Sequence, residues 1–167
     1  GNPMAPSFRE YRSLFFDQSL EIRQKVASNR NAVDYIEYEK FFFDSSPSVR
    51  EATARNPKAP RFKVYSNLFF DSDEKVRAAV AANPNAPLFA EYIKYFNHNF
   101  AYLHVNVAGN SNAIHFREYV NLIYSFSEKV REAVGSNQSA VLLPGYATLC
   151  SDVHSSVRRA VAANPKS

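Results

Sequence analysis

Two histidines six residues apart, His98 and His104, stand in the segment FNHNFAYLHVN, residues 96 to 106. Imidazole is the commonest metal ligand and the side chain best suited to proton transfer near neutral pH. A spacing of six does not place two side chains on one helical face. A metal would therefore need a third ligand from a neighbouring segment, such as His115 or Asp71. The second set with chemical potential is four carboxylates, Asp17, Asp44, Asp71 and Asp152, each followed six residues later by an arginine, Arg23, Arg50, Arg77 and Arg158. Carboxylates can serve as general acids or bases. A guanidinium at constant spacing from each of them points instead to a structural ladder, with each Arg bonding an Asp of its own or of an adjacent repeat. Losing one member of a partly buried pair leaves the other charge unpaired, at a cost of up to about 3–5 kcal/mol.

Other constellations are missing from the sequence. Its four glycines form no phosphate-binding loop, and it has neither a Gly-x-Ser-x-Gly elbow nor a His-Glu-x-x-His helix. Cys150 is the only cysteine. That excludes an internal disulfide and permits a reducing, cytoplasmic location. We therefore assign no catalytic residue, no metal site and no cofactor, and expect a protein that is not an enzyme.

The elements that position these residues follow from an internal period. Asn2, Asn29, Asn56, Asn83, Asn110, Asn137 and Asn164 are spaced 27 residues apart. They define six repeats, 2–28, 29–55, 56–82, 83–109, 110–136 and 137–163, and a partial seventh at 164–167. The tenth position is always tyrosine, from Tyr11 to Tyr146. The seventh is Phe8, Tyr35, Phe62, Phe89, Phe116 or Leu143, and the fourteenth is Phe15, Phe42, Phe69, Phe96, Ile123 or Cys150. Spacings of three and four put these on one face of a first helix. Cys150, standing where four repeats have Phe, is then expected to be a buried thiol.

Pro6, Pro60 and Pro87 mark the start of that helix, where a missing N–H costs nothing, and Pro144 with Gly145 should delay it by about a turn in the sixth repeat. The eleventh position should border the core, yet it changes from Arg12 and Glu39 to Ile93 and Val120. A second helix fills the last ten residues, with Val76, Ala79 and Val80 as its apolar stripe. Ser46 and Pro47 fit its N-cap and first residue, and Ser125 to Glu128 has capping-box spacing as an alternative start. Helices this short need stacking against neighbours. One all-α solenoid domain spanning residues 1–167 follows.

The string DSDEKVRAAVAANPNAP, residues 71 to 87, resembles the bacterial leucine-rich repeat variant family, and its Asp with Val-Arg six residues on looks like the pairing in HEAT-type helical repeats. The resemblance covers essentially the whole chain. It implies a right-handed superhelix of six two-helix repeats, a first helix partly 3-10 in character, and scaffolding or macromolecular recognition as the task. The period here is longer than that of the variant family, with Phe and Tyr where leucines are expected. The cysteine cluster that binds iron–sulfur in one branch is absent, so that cofactor is not carried over.

Hydrophobic residues make up 46% of the chain, which argues against disorder. No apolar run is long enough to span a membrane, so no membrane partner is expected. The net charge is +4, with 20 Lys and Arg set among 16 acidic residues. On the outer face of the second helices the signs alternate: Glu51, then Lys75, then Lys129 beside Glu132, then Arg159. A phosphate-tracking groove would want successive cations, so nucleic acid is the alternative partner and a protein the favoured one. The fourth repeat stands apart. His98 and His104 occupy the ladder positions, and Leu88, Ala90, Ala101, Tyr102 and Val105 make its outer positions apolar. Leu88, Tyr102 and Val105, with His98, Asn99, His104 and Asn106 as polar members, form the candidate binding patch. The chain opens and closes in the same phase of the pattern, without a polar capping repeat. We expect self-association end to end or membership of a longer array.

Overall fold

The structure is a computed structural model that describes residues 9–167. Asn2, Pro6 and Phe8 lie outside those residues. From the second repeat on, each repeat opens on its asparagine, whose side-chain oxygen accepts the N–H two residues on, at 3.0 Å for Asn31 and 3.1 Å for Lys58. Its carbonyl accepts the N–H of a buried alanine, at 3.0 Å for Ala32 and for Ala59. One turn of 3-10 helix follows: Ala32–Asp34, Ala59–Arg61, Ala86–Leu88, Ala113–His115 and Ala140–Leu142. Pro60 and Pro87 sit inside these turns. They shape a separate element and do not start the first helix. The seventh residue is extended, as at Tyr35 (φ −94, ψ 137), and the chain restarts there.

The first helix is 3-10 over Arg9–Phe16, Ile36–Phe43, Lys63–Phe70, Ala90–Phe96 and Tyr146–Ser151. In the fifth repeat Arg117–Tyr119 continues into an α-helical turn, Val120–Ile123. A 3-10 helix has three residues per turn, so positions i and i+3 eclipse. This corrects the α-helical spacing expected from sequence. The tenth and thirteenth positions share the inner face: Tyr38 with Phe41, Tyr65 with Leu68, Tyr92 with Tyr95, Tyr119 with Leu122 and Tyr146 with Leu149 are all buried. The eleventh turns outward, leaving Arg12, Glu39, Ile93 and Ala147 exposed and Ser66 and Val120 half-buried, so its drift in polarity meets little packing constraint. In the sixth repeat the helix begins at Tyr146, two positions later than the equivalent Lys63. Gly145 there has φ +87, and a Cβ on it would run into the Tyr124 hydroxyl.

The second helices are α1 (Leu20–Ser28), α2 (Pro47–Arg55), α3 (Glu74–Ala82), α4 (His104–Gly109), α6 (Glu128–Ser136) and α7 (Ser155–Ala163), with α5 the turn Val120–Ile123. Ser46 is the N-cap residue of α2, and α6 starts after Ser127, not at Ser125. The chain divides into two compact units, Gly1–Ala86 and Pro87–Ser167. Within the first, α1 packs on α2 and α2 on α3; within the second, α4 packs on α6 and α6 on α7. Rings interleave the repeats, Phe15 stacking on Phe41 at 5.3 Å, Tyr38 on Phe62 at 5.7 Å and Tyr92 on Phe116 at 5.6 Å. Among the described residues there is no strand, and no helix is long and apolar enough to cross a membrane.

The invariant Asn and Tyr meet at one acceptor. Tyr38 donates to the carbonyl of Ala27 at 2.6 Å, and Asn56 donates to the same oxygen at 3.0 Å and to the Asn29 carbonyl at 3.1 Å. The arrangement recurs at Ala54 with Tyr65 and Asn83, at Ala108 with Tyr119 and Asn137, and at Gly135 with Tyr146 and Asn164. These carbonyls end the second helices, where the chain has no intrahelical donor left. A buried amide and hydroxyl satisfy them, and that need explains both invariant residue types.

Candidate functional site

The ladder fixes the geometry against which the fourth repeat is to be judged. Arg23 Nε bonds Asp44 at 2.8 Å, Arg50 bonds Asp71 at 2.6 Å and Arg131 bonds Asp152 at 2.6 Å, each bond doubled by a terminal guanidinium nitrogen. Every carboxylate partner is in the following repeat. Within its own repeat the arginine reaches only backbone, donating from Nη1 to the carbonyl of Asp17 at 2.9 Å, of Asp44 at 2.7 Å and of Ser125 at 2.6 Å. Arg77 and Arg158 make the same backbone contact, to Asp71 and Asp152. Arg131 was not among the ladder residues expected from sequence, because its own repeat lacks the Asp. The signal for it is an Arg placed 21 residues before Asp152.

Each ladder aspartate has a second task. Its Oδ1 accepts the N–H two residues on, at 2.7 Å for Asp17 to Ser19, 2.9 Å for Asp44 to Ser46 and for Asp71 to Asp73, and 2.9 Å for Asp152 to His154. This turn aims the chain into the second helix. Burial pushes the Asp44 and Asp71 carboxyls up, but the bonds from Arg23 or Arg50, the turn N–H and the nearby cations pull them below their usual value. For Asp152 the Arg131 hydrogen bond dominates and lowers the carboxyl to about 2.

In the fourth repeat His98 stands in the aspartate position and does not close that turn. Asn97 closes one a residue earlier, accepting the Asn99 N–H at 3.1 Å. The chain then runs through 3-10 helix over His98–Leu103, bent at Phe100 (φ −113, ψ 24), and α4 keeps six residues where its counterparts have nine. Because ladder pairs bridge successive repeats, His104 faces the position of Ser125 and not that of His98. Arginine and aspartate are thus both replaced at the join between the fourth and fifth repeats. Ser125 Oγ keeps a weak version of the turn, accepting the Ser127 N–H at 3.3 Å.

What opens at that join is a groove of about 430 Å³. Phe96, Ala101, Leu122 and Val130 supply its apolar walls, and His98, His104, Asn121, Ser125 and Ser127 its polar ones. Glu118 also lines it, held by Arg117 Nε at 3.0 Å. Tyr124 and Phe126, both exposed, complete the lining. His104 Nε2 is buried there without a hydrogen-bond partner. No family model, curated protein or solved structure matches the chain.

The structure brings His98 and His104 of the expected patch to the groove. Tyr102 and Val105 are exposed on the same stretch of chain, and Tyr102 lies 6.4 Å from the Phe100 ring. Asn99 is exposed and Asn106 half-buried. Leu88, in the 3-10 turn that opens the repeat, is exposed but does not line the groove. The contribution of the fifth repeat, Tyr124, Ser125 and Phe126, was not read from sequence, because it appears only when one repeat is laid against the next. Among the described residues no three His, Cys, Asp or Glu side chains are grouped to hold a metal ion. Cys150 corrects the expectation of a buried thiol, for it is exposed. Elsewhere in the chain position fourteen packs against the following repeat, as Phe15 does on Phe41.

Proposed function

We propose that the chain is a non-catalytic helical-repeat scaffold, a six-repeat solenoid of the leucine-rich repeat variant and HEAT-like kind, that binds a protein partner at its fourth repeat. The observation that carries this is the concerted loss of the ladder pair at His104 and Ser125, with the groove that opens in its place. A structural repeat keeps a pair that closes its join, and a join left open beside exposed aromatics has the makings of a recognition surface. Phe96, Leu122 and Val130 suit an apolar side chain of a partner segment, with Tyr102, Tyr124 and Phe126 as aromatic contacts around it.

The test is to restore the missing pair. His104→Arg with Ser125→Asp rebuilds the guanidinium–carboxylate join seen at Arg131 and Asp152 and fills the groove. Proteins captured by the wild-type chain should be lost from this variant, and equally from Tyr102→Asp with Val105→Asp, while the circular dichroism spectrum stays helical. Capture that survives in both variants would refute the assignment. Capture that fades steeply with salt and is displaced by short DNA or RNA would replace it with nucleic-acid binding.

A further inference from the structure

The closed joins show what the open one lacks. Asp71 takes two bonds from Arg50, at 2.6 Å and 2.9 Å, and one from the Asp73 N–H at 2.9 Å. Burial raises its carboxyl, and Arg50, that N–H and the charge of Arg77 in its own repeat more than offset the rise. A carboxylate in this place is thus held from two repeats at once. Asp44 and Asp152 likewise take two bonds from the arginine of the preceding repeat and one from their own turn.

At the join of the fourth and fifth repeats donors remain and the carboxylate is gone. The Ser127 N–H, counterpart of the Asp73 N–H, meets Ser125 Oγ at 3.3 Å, longer than such bonds usually are. Arg131, counterpart of Arg77, still stands behind the turn and donates to the carbonyls of Ser125 at 2.6 Å and Phe126 at 3.3 Å. His104, in the place of Arg50, is half-buried, lines the groove and leaves Nε2 unpartnered. The last torsion of a histidine side chain is soft, so a small rotation turns a ring nitrogen to the groove. Glu118 is the one lining residue with a formal charge, and Arg117 Nε matches it at 3.0 Å. A cation would find no unmatched carboxylate there. A wholly apolar side chain would leave the ring nitrogen and the turn N–H without a good acceptor, which is costly once water is excluded.

We propose that the partner segment carries an acidic residue beside its apolar one, and that this carboxylate enters the groove and takes the place a ladder aspartate holds in the closed joins, accepting from His104 and from the Ser127 N–H. The inference rests on the reading of the fourth repeat as a protein-binding site and adds the chemistry by which that site selects its partner. The apolar neighbour lies on Phe96, Leu122 and Val130, and the groove of about 430 Å³ has room for both side chains. The chain thus borrows from its partner the group that its own fifth repeat lacks at Ser125.

Blocked tripeptides titrated into the full chain test it, with Kd read by NMR from the His104 ring and Ser127 amide resonances. Leu-Asp-Leu should bind roughly fivefold or more tightly than Leu-Asn-Leu, which matches it in size without the charge, and than Leu-Arg-Leu. His104→Arg should tighten Leu-Asp-Leu by about threefold or more, since a guanidinium meets both carboxylate oxygens. Ser125→Asp should weaken it by about tenfold, because a carboxylate of the chain then repels the incoming one. Both variants restore residue types that the closed joins carry, and an unchanged circular dichroism spectrum checks that the fold is kept. No binding of Leu-Asp-Leu, equal binding of the three peptides, preference for Leu-Arg-Leu, or weaker binding to His104→Arg would overturn the proposal. The scaffold reading fails separately, on protein capture that survives His104→Arg with Ser125→Asp; if that capture is lost while the peptides show no preference for aspartate, the carboxylate anchor alone falls.

Discussion

Two neighbouring joins of the second unit have the same backbone plan and different chemistry. Between the fifth and sixth repeats Arg131 grips Asp152 at 2.6 Å, Asp152 turns the chain into α7, and the side chains of the pair are 13% and 8% exposed. Between the fourth and fifth repeats His104 and Ser125 hold the same places, the His104 Nε2 is unmatched, and a groove takes the place of the pair. The contrast shows that one aspartate does two things, closing the join behind it and starting the helix ahead of it. When His98 replaces it in the fourth repeat the helix start is lost, and α4 is shorter by three residues.

The comparison breaks most sharply at the closed join. Arg131→Ala should cost about 1.5–3 kcal/mol in chemical denaturation, because half-buried Asp152 loses its charged hydrogen bonds; the equivalent change His104→Ala should cost far less. Asn137→Ala removes donors from the Ala108 carbonyl, the Asn110 carbonyl and the Tyr119 hydroxyl, and should cost about 1–3 kcal/mol for the groups left unpaired. Its effect should be alike whichever join is tested, since both keep the Asn and Tyr. Converting the open join with His104→Arg and Ser125→Asp should show a favourable coupling of about 0.5–3 kcal/mol in a double-mutant cycle, with either single change neutral or destabilising. The smallest effect is on acid stability. A carboxyl lowered on folding stabilises the protein above its unfolded value of 3.8, and that contribution is lost as pH falls toward about 2 for Asp152. Asp152→Asn should therefore be less stable than wild type at pH 7 and lose less on going from pH 5 to pH 2, measured by thermal melting.

Much of this was legible in the sequence because it depends on spacing alone. The period, the buried Tyr of each repeat, the start of α2 at Pro47 and the outward apolar residues of the fourth repeat follow from one-dimensional pattern. What escaped needed the third dimension. An α-helical spacing puts the eleventh position at the core and overlooks Phe41 and Leu68, and only the 3-10 winding of the first helix moves that boundary. The ladder runs from one repeat to the next, which a count of residues within a repeat cannot reveal; hence Arg131 was missed and His98 was matched to His104. The open groove draws on Tyr124 and Phe126, whose side chains look unremarkable until Ser125 is seen opposite His104.

The amide of Asn56, the residue that caps the end of α2, holds the carbonyl of Ala27 near the end of the adjacent helix α1. Asn83, at the end of α3, holds Ala54 of α2 in the same way. Each of these bonds spans a single helix-to-helix step, the nearest-neighbour coupling by which repeated modules share stability. Within the first unit the end of one second helix cannot unwind past its asparagine without also uncovering a carbonyl of the helix before it, so these ends should open together.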